Sequence, residues 1–580
     1  MRNRYRVLII LEVVLIMLIH CASIKYFYGF TMSEDELGYW GAAAKFAGLN
    51  WGNVLENTSY YSWGYSLVLS LLLRFVHTPI IVYRIGLIMN AVYLVISFLV
   101  STALFNRIFK DTSREIISIV CFVVNLSAGY YVNSKIAWAE CFLVMMTWLV
   151  LYQAYLIYEK KTVMRQLIFV VELIYVYFVH MRTVPYLVFG IIYLVVVNIC
   201  DSKTQNRNIK KQVVISAVLL VVLCVLFISG NYIKQYIQAN LYGNNILNND
   251  YFSIISSVGR DSVATTIKKI LNEAMGVFFY FYSISFGMIM WGLIEIIIKT
   301  KEWIRNREIS LAAFNYFAML LFIGECAVTC VFMRNDGNTS RIDQLIYGRY
   351  AEHAMGFLLI YGILKFLTID KSKRKVFWGQ SIFYVLICLL FSHHIKGCDF
   401  GEDVYYQSAC AAGLFKIWQK YGLNILYIAG MVLLIGVLLL ISTMIKMKTK
   451  RCFAYAFLSV IVVLVWLING RASVSQYAPY QGKVKILFDN QNALRDYNAD
   501  DEIAFVSDSA YSTRGNVQLY VKDKPIQCLH TDISMDEYSK YKMIITEFTM
   551  DQSEFEGQLI DAGYELKSDL GFYKIYKNMN

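Results

Sequence analysis

Three acids, Glu34, Asp35 and Glu36, stand in a row inside the octapeptide Ser33 to Trp40 (SEDELGYW), directly beyond the first long apolar run. Carboxylates at a water–lipid boundary are costly to keep, so a cluster there marks an address for chemistry on a lipid-borne substrate. A carboxylate partly withdrawn from water suits the task of taking a proton from an attacking hydroxyl or amine. The plainer use of the same residues is structural, with Ser33 capping a helix and acids favouring its N-terminal end.

A fourth acid, Glu140 in SKIAWAECF, enters a later apolar run from the same side. Three arginines sit where apolar runs end or begin: Arg182 in HMRTVPY beside His180, Arg349 in IYGRYAEH between Tyr347 and Tyr350, and Arg84 slightly inside the second run. The planar guanidinium fork matches phosphate oxygens. Lone arginines near span ends also snorkel to headgroups, and flanking tyrosines serve as interfacial anchors. The aromatics Tyr60, Tyr61, Trp63 and Tyr65 can be read as a sugar-stacking shelf or as such anchors.

The elements that carry these residues follow from composition. Of 580 residues 58% are hydrophobic and only 4 are Pro, which is too apolar for a soluble globular chain and implies a polytopic α-helical membrane protein. The net charge of +12 does not point to nucleic acid, because the basic residues fall in short loops between apolar runs. A window of about twenty residues finds about thirteen candidate transmembrane helices. The first follows Arg2, Arg4 and Arg6 and lacks a small-residue cleavage site, so it is expected to stay as an uncleaved span.

Every second loop is basic, from Arg107, Lys110 and Arg114 through to Lys446–Arg451. The positive-inside rule then puts the N-terminus in the cytoplasm, and an odd span count puts the C-terminus outside. Residues 1–470 form the expected membrane domain. Beyond Gly470 the chain turns polar, and EIAFVS, KMIITEF and GFYKIY alternate with amphipathic DQSEFEGQLIDAGYEL, so residues 471–580 are expected to form a small extracytoplasmic α/β domain.

The 12 cysteines say little, since most lie in apolar runs. Cys398 and Cys410 share an outer loop and could pair; Cys326 and Cys330 have helical spacing, but no histidine in that run, and read as packing. His393, His394, Cys398, Asp399, Glu402 and Asp403 are close in sequence without regular zinc-ligand spacing.

Asp35, Glu36 and Tyr39 form Asp-Glu-x-x-Tyr at the start of the first outer loop, residues 30–78; GAAAKFAGLNW follows, then YYSWGYSLVLSLLLRF and a second span with Arg84. In this order, and in its layout from spans to external domain, the chain resembles the C-type glycosyltransferases. These are polyprenyl-phosphate-sugar-dependent membrane enzymes that include the protein O-mannosyltransferases and the lipid A aminoarabinose transferases. The resemblance implies transfer of a hexosyl or pentosyl group from a polyprenyl-phosphate carrier to a cell-envelope glycan, glycolipid or protein, with inversion. It makes Asp35 the general base, with Glu36 tuning or orienting it or helping to hold a cation. The carrier phosphate then calls for Arg349, Arg182 and Arg84, with Tyr39, Tyr347 and His180 beside them. Glu140 would position a metal or acceptor, or serve as a hydrogen-bonded structural acid. A Mg2+ or Mn2+ ion could be shared by Asp35, Glu140 and the phosphate, although some members are metal-free.

Two other classes remain open. A lipid-linked glycan flippase or transporter also has many spans, but internal repeats are not evident and the charges cluster at the outer edge. A scaffold with an external binding domain leaves the acids without a task.

Overall fold

In lipid every backbone N–H and C=O must be satisfied within the segment, so long apolar runs become helices. The structure, a computed structural model, describes residues 2–31, 33–55, 58–204, 209–242, 262–333, 346, 348–369, 371–394, 409, 451–498, 500–508, 513–529, 531, 535–548 and 553–578. Tyr347, the loop His394–Asp403 beyond its helical end, and Cys410 fall outside that description, as does the Ser33 side chain.

Helices α1 (Arg2–Cys21), α2 (Ser33–Ala47), α3 (Gly64–Phe75), α4 (Pro79–Ile108), α5 (Arg114–Asn125), α6 (Ala128–Asn133), α7 (Glu140–Glu159), α8 (Val163–Val179), α9 (Val184–Thr204) and α10 (Ile209–Leu241) come first. Helices Val263–Ser285, Met288–Arg305, Ile309–Phe332, Arg349–Leu367, Lys371–His394 and Arg451–Val474 follow. Among the described residues 7 helices are long and apolar enough to cross a membrane, or 8 if the bent pair Val263–Ser285 and Met288–Arg305 is one span. The larger expected count also drew on apolar runs within 411–450, outside the described residues.

The bent pair turns by 99°. Phe286 and Gly287 at the break are both left-handed, with φ of 51° and 77°, and a Cβ on Gly287 would lie 2.8 Å from the Tyr282 ring. Glycine is needed there on both counts. No proline marks this break in the sequence.

The segment after α1 is ordered as α2, a short turn at Gly52–Val54 and α3. Helix α2 lies tight against the strand-like segment before α3: a Cβ on Gly38 would stand 2.1 Å from the Ser59 carbonyl oxygen and 3.1 Å from the Tyr61 ring. That approach brings residue 61 onto the first turns of α2. On the other side, Lys135, between α6 and α7, donates to the carbonyls of His20 and, at 2.8 Å, Ala22, closing the last turn of α1. Burial lowers the Lys135 ammonium to about 8.

The C-terminal residues form a five-stranded sheet in the order β2-β1-β3-β5-β4, from β1 (Ile503–Ser507), β2 (Ile526–Leu529), β3 (Met543–Glu547), β4 (Tyr564–Asp569) and β5 (Tyr573–Asn578). β1 pairs in parallel with β2 and β3, whereas β3–β5 and β4–β5 are antiparallel. The three apolar runs of the sequence are β1, β3 and β5, and the amphipathic run contains helix Ser553–Asp561.

This domain is bolted to the segment that follows α1. Gln481 accepts from the Tyr28 N–H at 2.7 Å and donates to the Gly29 carbonyl and the Thr31 hydroxyl at 3.1 and 3.0 Å. Asn516, on helix Arg514–Val521, donates to the Phe30 carbonyl at 3.2 Å, Tyr520 to that of Tyr28 at 2.7 Å, and Trp51 to that of Lys522 at 2.8 Å. The sheet domain therefore holds the segment that leads into the acidic helix.

Candidate active site

Four helix ends converge beside that segment. Asp35 lies in the first turn of α2, Glu140 opens α7, Arg182 sits in the short turn Met181–Thr183 between α8 and α9, and Arg349 opens helix Arg349–Leu367. Acids at the N-terminal ends of α2 and α7 suit the helix dipole; Arg349 at a helix N-terminus opposes it, so another interaction must hold it there.

That interaction is a ladder of alternating charge. Arg349 Nη1 donates to Asp35 Oδ2 at 2.7 Å and its Nε to Glu140 Oε1 at 2.8 Å. Arg182 Nη1 donates to the same Glu140 oxygen at 3.1 Å, and its Nη2 to Oε2. Aromatic faces cover both cations: the Arg349 guanidinium carbon is 3.7 Å from the Trp138 ring centroid, and that of Arg182 is 4.7 Å from the Tyr350 ring centroid. Snorkelling is thereby corrected for these two arginines, because both are buried and bound to carboxylates.

Asp35 is the open end of the ladder, with its side chain 26% exposed. Its Oδ1 accepts from the Tyr61 hydroxyl at 2.7 Å. The Tyr61 ring stacks on Tyr39 at 5.0 Å and lies 4.7 Å from His180. Tyr61, expected as a shelf or anchor, is instead a buried hydrogen-bond partner of the acid. Its companions pack inward too: buried Tyr60 lies 4.8 Å from the Tyr242 ring, and half-buried Trp63 stacks on Phe178 and donates to the Gly230 carbonyl at 2.9 Å.

His180 accepts from the Arg182 N–H at Nδ1, 3.2 Å away. Burial, with Arg182 and Arg349 nearby, holds its imidazole well below the usual histidine range, so the ring is neutral at neutral pH. Among the described residues His180 Nε2, the Tyr39 hydroxyl and Arg182 Nε are buried without a hydrogen-bond partner. Buried polar atoms seldom stay unsatisfied, and these three surround the arginine end of the ladder.

Glu36 and Arg84 stand apart from this group. Glu36 is fully buried and accepts from the Thr31 N–H at 2.6 Å, the Tyr83 hydroxyl at 2.9 Å and the Ala137 N–H at 2.9 Å. Successive helix positions diverge by about 100°, so the residue beside Asp35 faces the core and locks α2 to the Ala137–Trp138 segment under Arg349. Glu36, expected to tune or orient Asp35 or to help hold a cation, has its oxygens engaged as a bracket between α2, Tyr83 and Ala137. Arg84 donates to the carbonyls of Phe27 at 3.2 Å and Lys25 at 2.7 Å, bracing the turn after α1 instead of joining the site. Glu34 faces the sheet domain, where burial raises its carboxyl above the usual range and Arg514 opposes the rise.

The oxygens expected to share a Mg2+ or Mn2+ ion do not fit one as arranged. Arg349 bridges Asp35 and Glu140, and Arg182 takes the remaining Glu140 oxygen, so guanidinium groups occupy the coordinating positions. No group of three His, Cys, Asp or Glu side chains suited to a metal occurs among the described residues.

Neither a protein-family model nor a curated protein matches the sequence. Solved structures do. ArnT from Cupriavidus metallidurans bound to undecaprenyl phosphate superposes with a TM-score of 0.51 at 10% identity, covering 98% of each chain. Its apo state gives 0.49 at 11% identity over 98% of this chain and 97% of that one. Helical bundle and terminal sheet domain together, the chain shares the fold of ArnT, the architecture that the resemblance to the C-type glycosyltransferases led us to expect.

Proposed function

We propose that the chain is a membrane glycosyltransferase that takes a sugar from a polyprenyl-phosphate carrier on the extracytoplasmic face and passes it, with inversion, to a hydroxyl or amine of a glycan, glycolipid or protein. The N-terminus is cytoplasmic and residues 471–580 lie outside, forming one wall of the acceptor site above the membrane domain 1–470.

The observation that carries this reading is the ladder Asp35–Arg349–Glu140–Arg182, with its acid open and its cations buried. In the reaction the acceptor's lone pair forms the new bond to the anomeric carbon as the bond to the phosphate oxygen breaks. The acceptor proton passes to Asp35, and the carrier leaves as a phosphate monoester with one more negative charge. Arg349 and Arg182, preorganised by Glu140, stabilise that developing charge, and His180 Nε2 and the Tyr39 hydroxyl offer further contacts at the same end. No step requires a metal. The fold likeness supports the carrier: ArnT was solved with undecaprenyl phosphate bound.

The test is transfer by purified protein from a panel of labelled polyprenyl-phosphate sugars to lipid, glycan and peptide acceptors. Consumption of one donor by the wild type, and none by Asp35→Asn, is expected. The bent helix pair favours a second reading, since broken helices serve transporters. Movement of intact lipid-linked sugar across vesicles without bond cleavage would select it.

A further inference from the structure

Arg349 has two acidic partners already, and on the reading above the carrier phosphate is a third. The geometry points to an exchange at this residue: when the phosphate arrives, Arg349 Nη1 leaves Asp35 Oδ2 for a phosphate oxygen while Nε keeps its bond to Glu140, so that donor binding frees the base. The inference rests on the proposed carrier and adds an order to it, donor before acceptor.

The relative strength of the two bonds decides which one yields. The Arg349–Asp35 pair reaches the open end of the ladder, where the acid is 26% exposed and water can replace the bond. The Arg349–Glu140 pair lies inside, with the acid 2% exposed, and breaking it would strand a buried charge. Glu140 is itself pinned by two bonds from Arg182 and cannot follow the arginine outward. It acts as the pivot, a positioning residue rather than a catalytic one. The Trp138 ring at 3.7 Å gives the guanidinium a flat surface on which to turn without losing its cation–π contact.

Before the exchange each Asp35 oxygen is engaged, Oδ1 by Tyr61 and Oδ2 by Arg349. Afterwards Tyr61 alone holds the carboxylate, and Oδ2 faces the opening through which an acceptor comes. An enzyme built this way keeps its base occupied until the donor is in place.

The experiment measures binding of undecaprenyl phosphate, without sugar, to the full chain in lipid nanodiscs. Asp35→Asn weakens the competing bond and is expected to tighten binding by about tenfold, the size of one charge-assisted hydrogen bond. Damage to folding could only weaken binding, so the sign is diagnostic. Simple repulsion between Asp35 and phosphate is separated by repeating the substitution in an Arg349→Met background. The exchange predicts a gain with Arg349 present and none without it. A gain in both backgrounds, or in neither, overturns the exchange while leaving the carrier reading intact. Failure of the wild type to bind undecaprenyl phosphate overturns both.

Discussion

The two ends of α7 carry ion pairs of opposite character. Glu140, at its start, meets Arg182 with the side chains 2% and 0% exposed. Glu159, at its finish about 30 Å away, meets Arg107 with the side chains 32% and 41% exposed. Same helix, same pair chemistry, different physics: the exposed pair is screened and interchangeable with water, whereas the buried one has been taken out of water and must be satisfied by its partners. The difference teaches which charges to examine for chemistry. The exposed end lies beside basic loops, and the buried end is linked to an acid that opens to solvent.

The largest expected effect breaks the buried end at its reactive member. Asp35→Asn should lower transfer by about 10²- to 10⁴-fold with thermal unfolding in detergent unchanged, because the amide fits the site but cannot act as an anionic base. Next comes the ladder as structure. Arg182→Met should cost about 3–5 kcal/mol of stability by leaving one buried oxygen of Glu140 unpaired, whereas Arg107→Met at the other end of α7 should cost below about 1 kcal/mol; equal losses in unfolding experiments would erase the contrast. Arg349→Lys keeps the charge and loses the fork that spans two acids, so donor affinity should fall by about tenfold with acceptor affinity unchanged in direct binding assays. The smallest effect is expected at Tyr61→Phe, which removes one hydrogen bond to Asp35 worth about 1 kcal/mol and should appear in kcat rather than in donor KM.

Single charges were legible before the fold was known because each one is conspicuous in an apolar chain: Asp35, Glu140, Arg182 and Arg349 all stand out in that way. Their pairing was not, since Arg349 meets residues 314 and 209 positions away and only packing brings them together. Glu36 was misplaced for a local reason, as adjacency in sequence puts two helical side chains on different faces. Arg84 was misplaced because a guanidinium can end on backbone carbonyls as readily as on phosphate. Tyr61 was hidden among aromatics that look like interfacial anchors; Gly38, three residues after Asp35, was the available signal of a close approach to that segment. Lys135 was overlooked although a lysine on the expected outer face breaks the basic-loop alternation, a sign that it has another use. In the sheet domain the apolar strands β1, β3 and β5 were readable. β4 was missed because its burial pattern is mostly exposed, so it lacks the apolar run that marks the others.

The central claim is that Asp35 takes the acceptor proton while Arg349 and Arg182 hold the carrier phosphate. The most direct measurement is single-turnover transfer from a donor already bound to the protein, comparing wild type with Asp35→Asn under donor saturation. The account predicts that the variant binds donor at least as well as the wild type and fails to break the sugar–phosphate bond when acceptor is added. Transfer by the variant at the wild-type rate would contradict it and remove Asp35 from the reaction.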